Sequence, residues 1–240
     1  MFRPLAVIFS LVSATSALAI APLDTSSQLI ISVRDQKLML VRNGAKPAIY
    51  PISTSMFGLG DAQGRMTTPL GYLAVEKKIG DNAPVGAVFH NRRLTGEVLQ
   101  PNTPGRDPIT TRIIWLRGLE AQNAHAFQRC IYIHGTPEEK KIGRPASYGC
   151  IRMKSSDVAE LYRLVPVGAV VQIIPDRLPK VAPNVQAATV LAAANPPVQR
   201  PENEANSAPA AGTLTVEQMR TAGALAGARQ KGKFAANKRL

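Results

Sequence analysis

A chain of 240 residues has room for one well-packed domain and an appendage and is too short for an array of domains, and 45% hydrophobic residues is the composition of a globular core. Only 5% of residues are aromatic and 19 are proline, a bias that traces in part to the C-terminal third. The formal net charge of +13, with a pI near 10.2, excludes nothing about fold but directs attention to polyanionic partners: nucleic acid, an anionic membrane or a bacterial wall.

The N-terminus narrows that choice. Met1-Phe2-Arg3-Pro4 supplies a short positive segment, residues 5–12 an apolar run, and Ala17-Leu18-Ala19 a small-residue cleavage signature. Residues 1–19 therefore read as a secretory signal peptide, with an uncleaved anchor as the alternative. The apolar run is shorter than the ~20 residues a bilayer span needs. Export to a periplasm or cell wall removes nucleic acid as a partner.

From residue 28 the chain reads as β-structure. Leu29-Ile30-Ile31-Ser32-Val33 and Lys37-Leu38-Met39-Leu40-Val41 flank Arg34-Asp35-Gln36, the composition of a hairpin. Asn43-Gly44 marks a second turn before a strand over 48–54, giving a three-strand meander. Two loop-like stretches follow, around Gly58-Leu59-Gly60-Asp61 and Thr67-Thr68-Pro69-Leu70-Gly71, and lead into a strand over 72–77. Residues 80–112 are interrupted by proline, glycine and asparagine, which predicts a long surface excursion of the kind that serves as a lid or binding loop. Its Arg92, Arg93, Arg106 and Arg112 could meet an anionic substrate or simply be solvated.

Regular structure resumes at Ile113-Ile114-Trp115-Leu116 and again over 129–134. In the second run a regular strand places Cys130, Tyr132 and His134 on one face and Ile131 and Ile133 on the other. Val158, Leu161, Leu164 and Val165 have helical spacing, with Asp157 and Glu160 as a candidate capping box. Pro166 stops that helix, and 167–174 is a final strand. The domain so defined spans 28–175. Residues 176–212, rich in Ala, Pro, Asn and Gln, predict a disordered linker. Residues 213–240 form a basic tail, partly helical, that could hold the chain against an anionic wall or membrane surface or be merely soluble.

The chemistry gathers between residues 131 and 153. An apolar β-branched run delivers His134, and sixteen residues later a glycine turn, Ser147-Tyr148-Gly149-Cys150-Ile151-Arg152, presents a cysteine. A thiol needs an adjacent imidazole or positive field to become a nucleophile at neutral pH. A loop of this length can fold back and join the two. Gly149, without a Cβ, lets backbone approach a reacting carbonyl, and the amides around Cys150 could form an oxyanion hole.

At these residues the chain resembles a known family. His134-Gly135 after an isoleucine, followed by the SxGCIR segment of residues 147–152, resembles the signature of the L,D-transpeptidases, and Thr68-Pro69-Leu70-Gly71 is similar to that family's upstream TPxG segment. The resemblance covers roughly residues 28–175. It implies a mainly β, β-sandwich-like catalytic domain of the YkuD type with one or two short helices. It also implies a reaction without a cofactor or metal: Cys150 attacks the third-residue carbonyl of a peptidoglycan stem tetrapeptide, D-alanine leaves, and the thioester passes to an acceptor. An amine acceptor gives a 3–3 cross-link or a protein attached to the wall; water gives L,D-carboxypeptidase trimming. His134 becomes the base. Ser147, Gly149 and Gly135 shape the pocket, while Arg152 and Tyr148 are expected to contact substrate. Tyr148 stands where the family more often has histidine, and Arg152 could pair with a stem-peptide carboxylate.

Other readings fare worse. In papain-like peptidases the cysteine precedes the histidine, whereas here His134 comes first. A non-catalytic wall-binding module would make the basic tail the relevant feature, against an intact His134 and Cys150 pair. His125, Cys130, His134 and Cys150 have no usual zinc-ligand spacing. A Cys130–Cys150 disulfide is disfavoured if 129–134 is a regular strand, which would carry Cys130 about 13 Å from His134 at ~3.3 Å per residue. Cys130 then reads as a buried strand thiol.

Overall fold

The computed structural model describes residues 22–180; the signal peptide, most of the linker and the basic tail predicted above lie outside the described residues. Within them the chain is mainly β, with ten strands and one α-helix. The first three strands are β1 (Asp24–Ser32), β2 (Lys37–Arg42) and β3 (Ala48–Ser53), and they form the antiparallel meander expected from their short apolar runs and the turns between them. β4 (Gly71–Ile79) is followed by β5 (Ala87–His90), β6 (Arg93–Val98), β7 (Ile109–Gly118), β8 (Tyr132–Gly135), β9 (Ile151–Met153), helix α1 (Ser155–Leu164) and β10 (Ala169–Ile174).

The strands pair in the order β4-β10-β1-β2-β3-β9-β8-β7-β5-β6, and β4 also pairs with β7. That extra pairing closes eight strands into a ring and leaves the β5–β6 hairpin as a flap attached to β7. Closure satisfies strand edges that would otherwise expose unpaired N–H and C=O groups. The last strand, β10, enters the middle of this arrangement, parallel to β1 and antiparallel to β4.

Both faces of the sheet are covered. One face packs Leu29, Leu38, Ile52, Leu116, Ile133 and Ile151 with Val158 and Leu161 of α1 and with Val165 just past its end. Removing one such side chain, as in Ile133→Ala, costs about 2–5 kcal/mol. The other face near β7 and β8 carries Phe89, Ile113, Trp115 and Tyr132, against which Phe127, Cys130 and Cys150 pack half-buried. Trp115 stacks on Phe127 with centroids 4.1 Å apart and meets Tyr132 edge-on at 5.4 Å.

Three local expectations change. The excursion over 80–112 contains the β5–β6 hairpin, turned by Asn91 and Arg92 at φ of 48° and 64°, and the start of β7. α1 starts at Ser155, two residues before the anticipated Asp157, with Lys154 as its cap and no side-chain cap bond. Its first amide, Ser155 N–H, instead donates to the Glu139 carboxylate at 2.8 Å, a distant acid occupying the place of a local capping box. β8 begins at Tyr132, so Cys130 stands outside the strand, with a left-handed φ of 58°.

Candidate active site

β8 and β9 are neighbouring parallel strands with His134 opposite Arg152 and Ile133 opposite Ile151. Strand alternation sends Ile133 and Ile151 into the core and leaves Tyr132 and His134 on the opposite face, as the sequence predicts. The turn 147–150 that opens β9 returns Cys150 to this edge of β8. Its Sγ accepts the Tyr132 N–H at 3.4 Å and donates to the Cys130 carbonyl at 3.3 Å.

His134 is buried and its Nδ1 lies 2.7 Å from the Gly135 carbonyl oxygen. A carbonyl can only accept, so the proton sits on Nδ1 and Nε2 keeps its lone pair. Burial pushes the imidazole down to about 4; the Gly135 carbonyl opposes this and the Arg152 cation adds to it. The thiol of Cys150 is driven the other way, up to about 11, chiefly by burial. The Tyr132 N–H and the Arg152 and Arg129 cations pull it back only in part. At neutral pH the two side chains are thus a neutral thiol and a neutral imidazole, not a preformed ion pair.

The turn is held by hydrogen bonds on every side. Ser147 is fully buried; its Oγ donates to the Cys150 carbonyl and accepts the Gly149 N–H at 3.2 Å. Its own N–H donates to the Thr54 carbonyl at 3.0 Å. Gly149 has φ of 122°, and a Cβ there would stand 3.3 Å from the Thr67 carbonyl oxygen and 3.6 Å from Ile131 Cδ1. The Gly149 carbonyl accepts from Thr68 Oγ1 at 2.9 Å, and that hydroxyl accepts the Ser55 N–H at 3.0 Å. Thr68 therefore fastens the upstream segment to the cysteine turn, a role its sequence position does not disclose. Since Ser147 occupies the Gly149 N–H, this amide is not an open oxyanion donor.

Arg152 is buried, and its surroundings differ from those of a free clamp. Nη2 is 2.6 Å from Asp107 Oδ2 and Nη1 is 3.7 Å from Glu138 Oε2. Asp107 also accepts from Thr136 Oγ1. The guanidinium is thus matched by two carboxylates, with its Cζ 5.8 Å from the Tyr148 ring centroid. Nothing in the sequence marks Asp107 or Glu138 as partners of Arg152, since Asp107 lies in an irregular loop and Glu138 sits in an ordinary Glu-Glu-Lys-Lys run. Tyr148 is half-exposed and tilts against Phe57 at 5.6 Å, so it forms an aromatic rim beside Gly149 and Cys150. His125 stands apart, its Nδ1 3.4 Å from Asp61, which Arg129 also binds at 2.6 Å. Among the described residues no group of three or more His, Cys, Asp or Glu gathers as a metal site.

The model of the YkuD family, the L,D-transpeptidase catalytic domain, matches residues 26–173. YqjB of Bacillus subtilis, a protein assigned to the L,D-transpeptidases, is 27% identical over 169 residues, which are 70% of this chain and 83% of that protein. ErfK/SrfK of Salmonella typhimurium, with the same assignment, is 32% identical over 153 residues, 61% of this chain and 43% of its own longer sequence. The crystal structure of L,D-transpeptidase 3 from Mycobacterium tuberculosis aligns with a TM-score of 0.39 and 17% identity, over 62% of this chain and 61% of that one. With the family model spanning nearly the whole ring of strands, the chain belongs to the YkuD family of L,D-transpeptidase catalytic domains.

Proposed function

We propose that the protein is an exported cysteine L,D-transpeptidase acting on peptidoglycan stem tetrapeptides. The observation that carries this reading is the placement of the Cys150 sulfur on the Tyr132 amide, at the strand edge that two residues later bears His134 with its tautomer fixed by Gly135. In the reaction, Cys150 Sγ attacks the carbonyl of the third stem residue while its proton passes to Nε2 of His134. The tetrahedral oxyanion is met by backbone amides of the turn, with the N–H of Cys150 itself the candidate once Gly149 is engaged by Ser147. His134 returns the proton to the departing D-alanine amine, leaving a thioester on Cys150. An acceptor amine then displaces the thiol, forming a 3–3 cross-link or attaching a protein.

Starting from a neutral pair, the thiol loses its proton as the carbon–sulfur bond forms, and the Arg152 cation favours the developing thiolate. Arg152 acts here through charge and through the loop acids it holds, and Tyr148 with Phe57 flanks the substrate. The segment 1–19 directs export, and the basic tail attracts the anionic wall. Purified tetrapeptide muropeptides incubated with the protein and resolved by mass spectrometry test the assignment. Dimers linked 3–3 support it; tripeptide alone would make the protein an L,D-carboxypeptidase. Absence of a carbapenem adduct on Cys150, or an adduct unaffected by His134→Ala, would overturn the nucleophile and its base.

A further inference from the structure

Cys130 and Cys150 are the chain's two cysteines, and both are free thiols. A regular strand would have carried them apart; the fold brings them together. The Cys130 carbonyl oxygen receives the Cys150 thiol at 3.3 Å, and the Tyr132 amide, two residues on, touches the same sulfur. This follows from the left-handed backbone of Cys130, a conformation rare for a residue with a Cβ, which breaks the run into β8. Both cysteines pack, half-buried, against the cluster of Phe89, Trp115 and Tyr132.

The mechanism gives Cys130 no part, yet its surroundings are not those of an inert core thiol. Arg92, at the tip of the β5–β6 hairpin, places Nη1 3.7 Å from Cys130 Sγ and 3.5 Å from the Tyr132 hydroxyl. The guanidinium is fixed there by its position 5.1 Å from the Trp115 ring centroid. A partly exposed sulfur beside a fixed cation is the setting in which cysteines react.

We propose that Cys130 and Cys150 form a reversible disulfide that masks the Cys150 sulfur. The oxidant is a small-molecule disulfide. The Cys130 thiolate attacks one of its sulfurs, the small molecule's S–S bond breaks, and half of it leaves as a thiol. The Cys150 thiolate then attacks the Cys130 sulfur of this mixed disulfide, the Cys130–Cys150 bond forms, and the second half leaves as a thiol. The two protein protons end on the two released thiols, and the two electrons given up by the protein reduce the oxidant. The β8–β9 pairing already closes the intervening loop, so the bond asks for little further ordering of the chain. It requires Cα atoms about 4.4–6.8 Å apart, and the contact of the Cys150 sulfur with the Cys130 carbonyl makes the two residues direct neighbours. If Cys150 is the nucleophile proposed above, the disulfide is an off state lifted by a dithiol reductant; the bond itself does not depend on that reading.

The test equilibrates the purified full chain in oxidised and reduced glutathione, quenches in acid, and maps peptides without reduction. The expected result is loss of two hydrogens from the intact chain and a cross-linked peptide joining residues 130 and 150, both reversed by dithiothreitol. Maleimide labelling of Cys150 should be lost in parallel. Cys130→Ser and Cys130→Ala should abolish the cross-link and leave Cys150 as a glutathione adduct or open to maleimide. Free thiols, separate glutathione adducts or only intermolecular dimers in the wild-type chain under oxidising conditions would overturn the proposal, without recourse to any variant or activity.

Discussion

His134 makes stability depend on acid in a way that can be isolated. Burial holds its imidazole at about 4, against 6.5 for an ordinary histidine. As pH falls through 6.5 the unfolded chain takes up a proton that the folded chain refuses, so the unfolded state gains and stability drops until pH reaches about 4. At 1.36 kcal/mol per pH unit this comes to about 3 kcal/mol. The residue is only 5% exposed, so little of that is screened by solvent. The comparison is with His134→Gln, whose amide can still donate to the Gly135 carbonyl but never titrates. Urea unfolding at pH 7.5 and pH 4, at one ionic strength, gives the stability difference between the two proteins at each pH. Carboxylates titrate in both and cancel. The wild type should lose about 3 kcal/mol relative to His134→Gln over that interval. A difference that stays constant to within about 0.5 kcal/mol would mean the imidazole is solvated or already charged, and the neutral pair inferred for the site would fall with it.

Cys150 carries the opposite dependence. Its raised thiol binds a proton more tightly in the folded state, so its contribution is present at neutral pH and is lost as pH climbs through the ordinary thiol range towards 11; Cys150→Ala should flatten the alkaline limb of the stability curve. Iodoacetamide labelling of Cys150 in the resting protein should likewise stay slow at pH 7 and rise steadily with pH, and a plateau below pH 7 would reveal an ion pair instead. Arg152→Gln leaves Asp107 without its cation, while Glu138 keeps Lys141, and should cost about 3 kcal/mol, much of it restored when Asp107→Asn is added; denaturation midpoints of the double-mutant cycle measure the coupling, and additive effects would refute it. Thr68→Val removes the donor to the Gly149 carbonyl and the acceptor of the Ser55 N–H, so both a loss of about 2 kcal/mol in urea unfolding and slower acylation of Cys150 by a carbapenem are expected.

Much of this architecture is written in short apolar runs set between turn residues. The β1–β2 hairpin and the meander to β3 follow from those runs and turns, and the outward placement of Tyr132 and His134 from side chains that take turns on two faces. β6 gave no such signal, because its residues are almost all exposed and a strand without a buried face has no period to read. The two-residue turn at Asn91-Arg92 was half announced by asparagine and concealed by arginine, an unusual residue in left-handed backbone. At the site, the cysteine turn and histidine were legible because glycine and β-branched residues mark their places. The partners of Arg152 were not: Asp107 reaches it from the loop before β7 and Glu138 from the loop after β8, and only tertiary packing joins them. Cys130 was misplaced for a related reason, since a single left-handed residue redirects the chain and leaves no trace in composition.

The position of β10 bears on when the molecule can form. The ring is completed by residues 169–174, which serve as the common neighbour of β1 and β4. During synthesis β1, β2 and β3 can pair as soon as they emerge, but β1 and β4 lack their shared partner until the last strand has been made. The assembly step therefore waits for the chain to be made through residue 174 and is of high contact order, which places this domain among slow folders. A nascent chain stopped before residue 169 should remain open to protease along β1 and β4, and extending it through residue 174 should bring protection to both strands together.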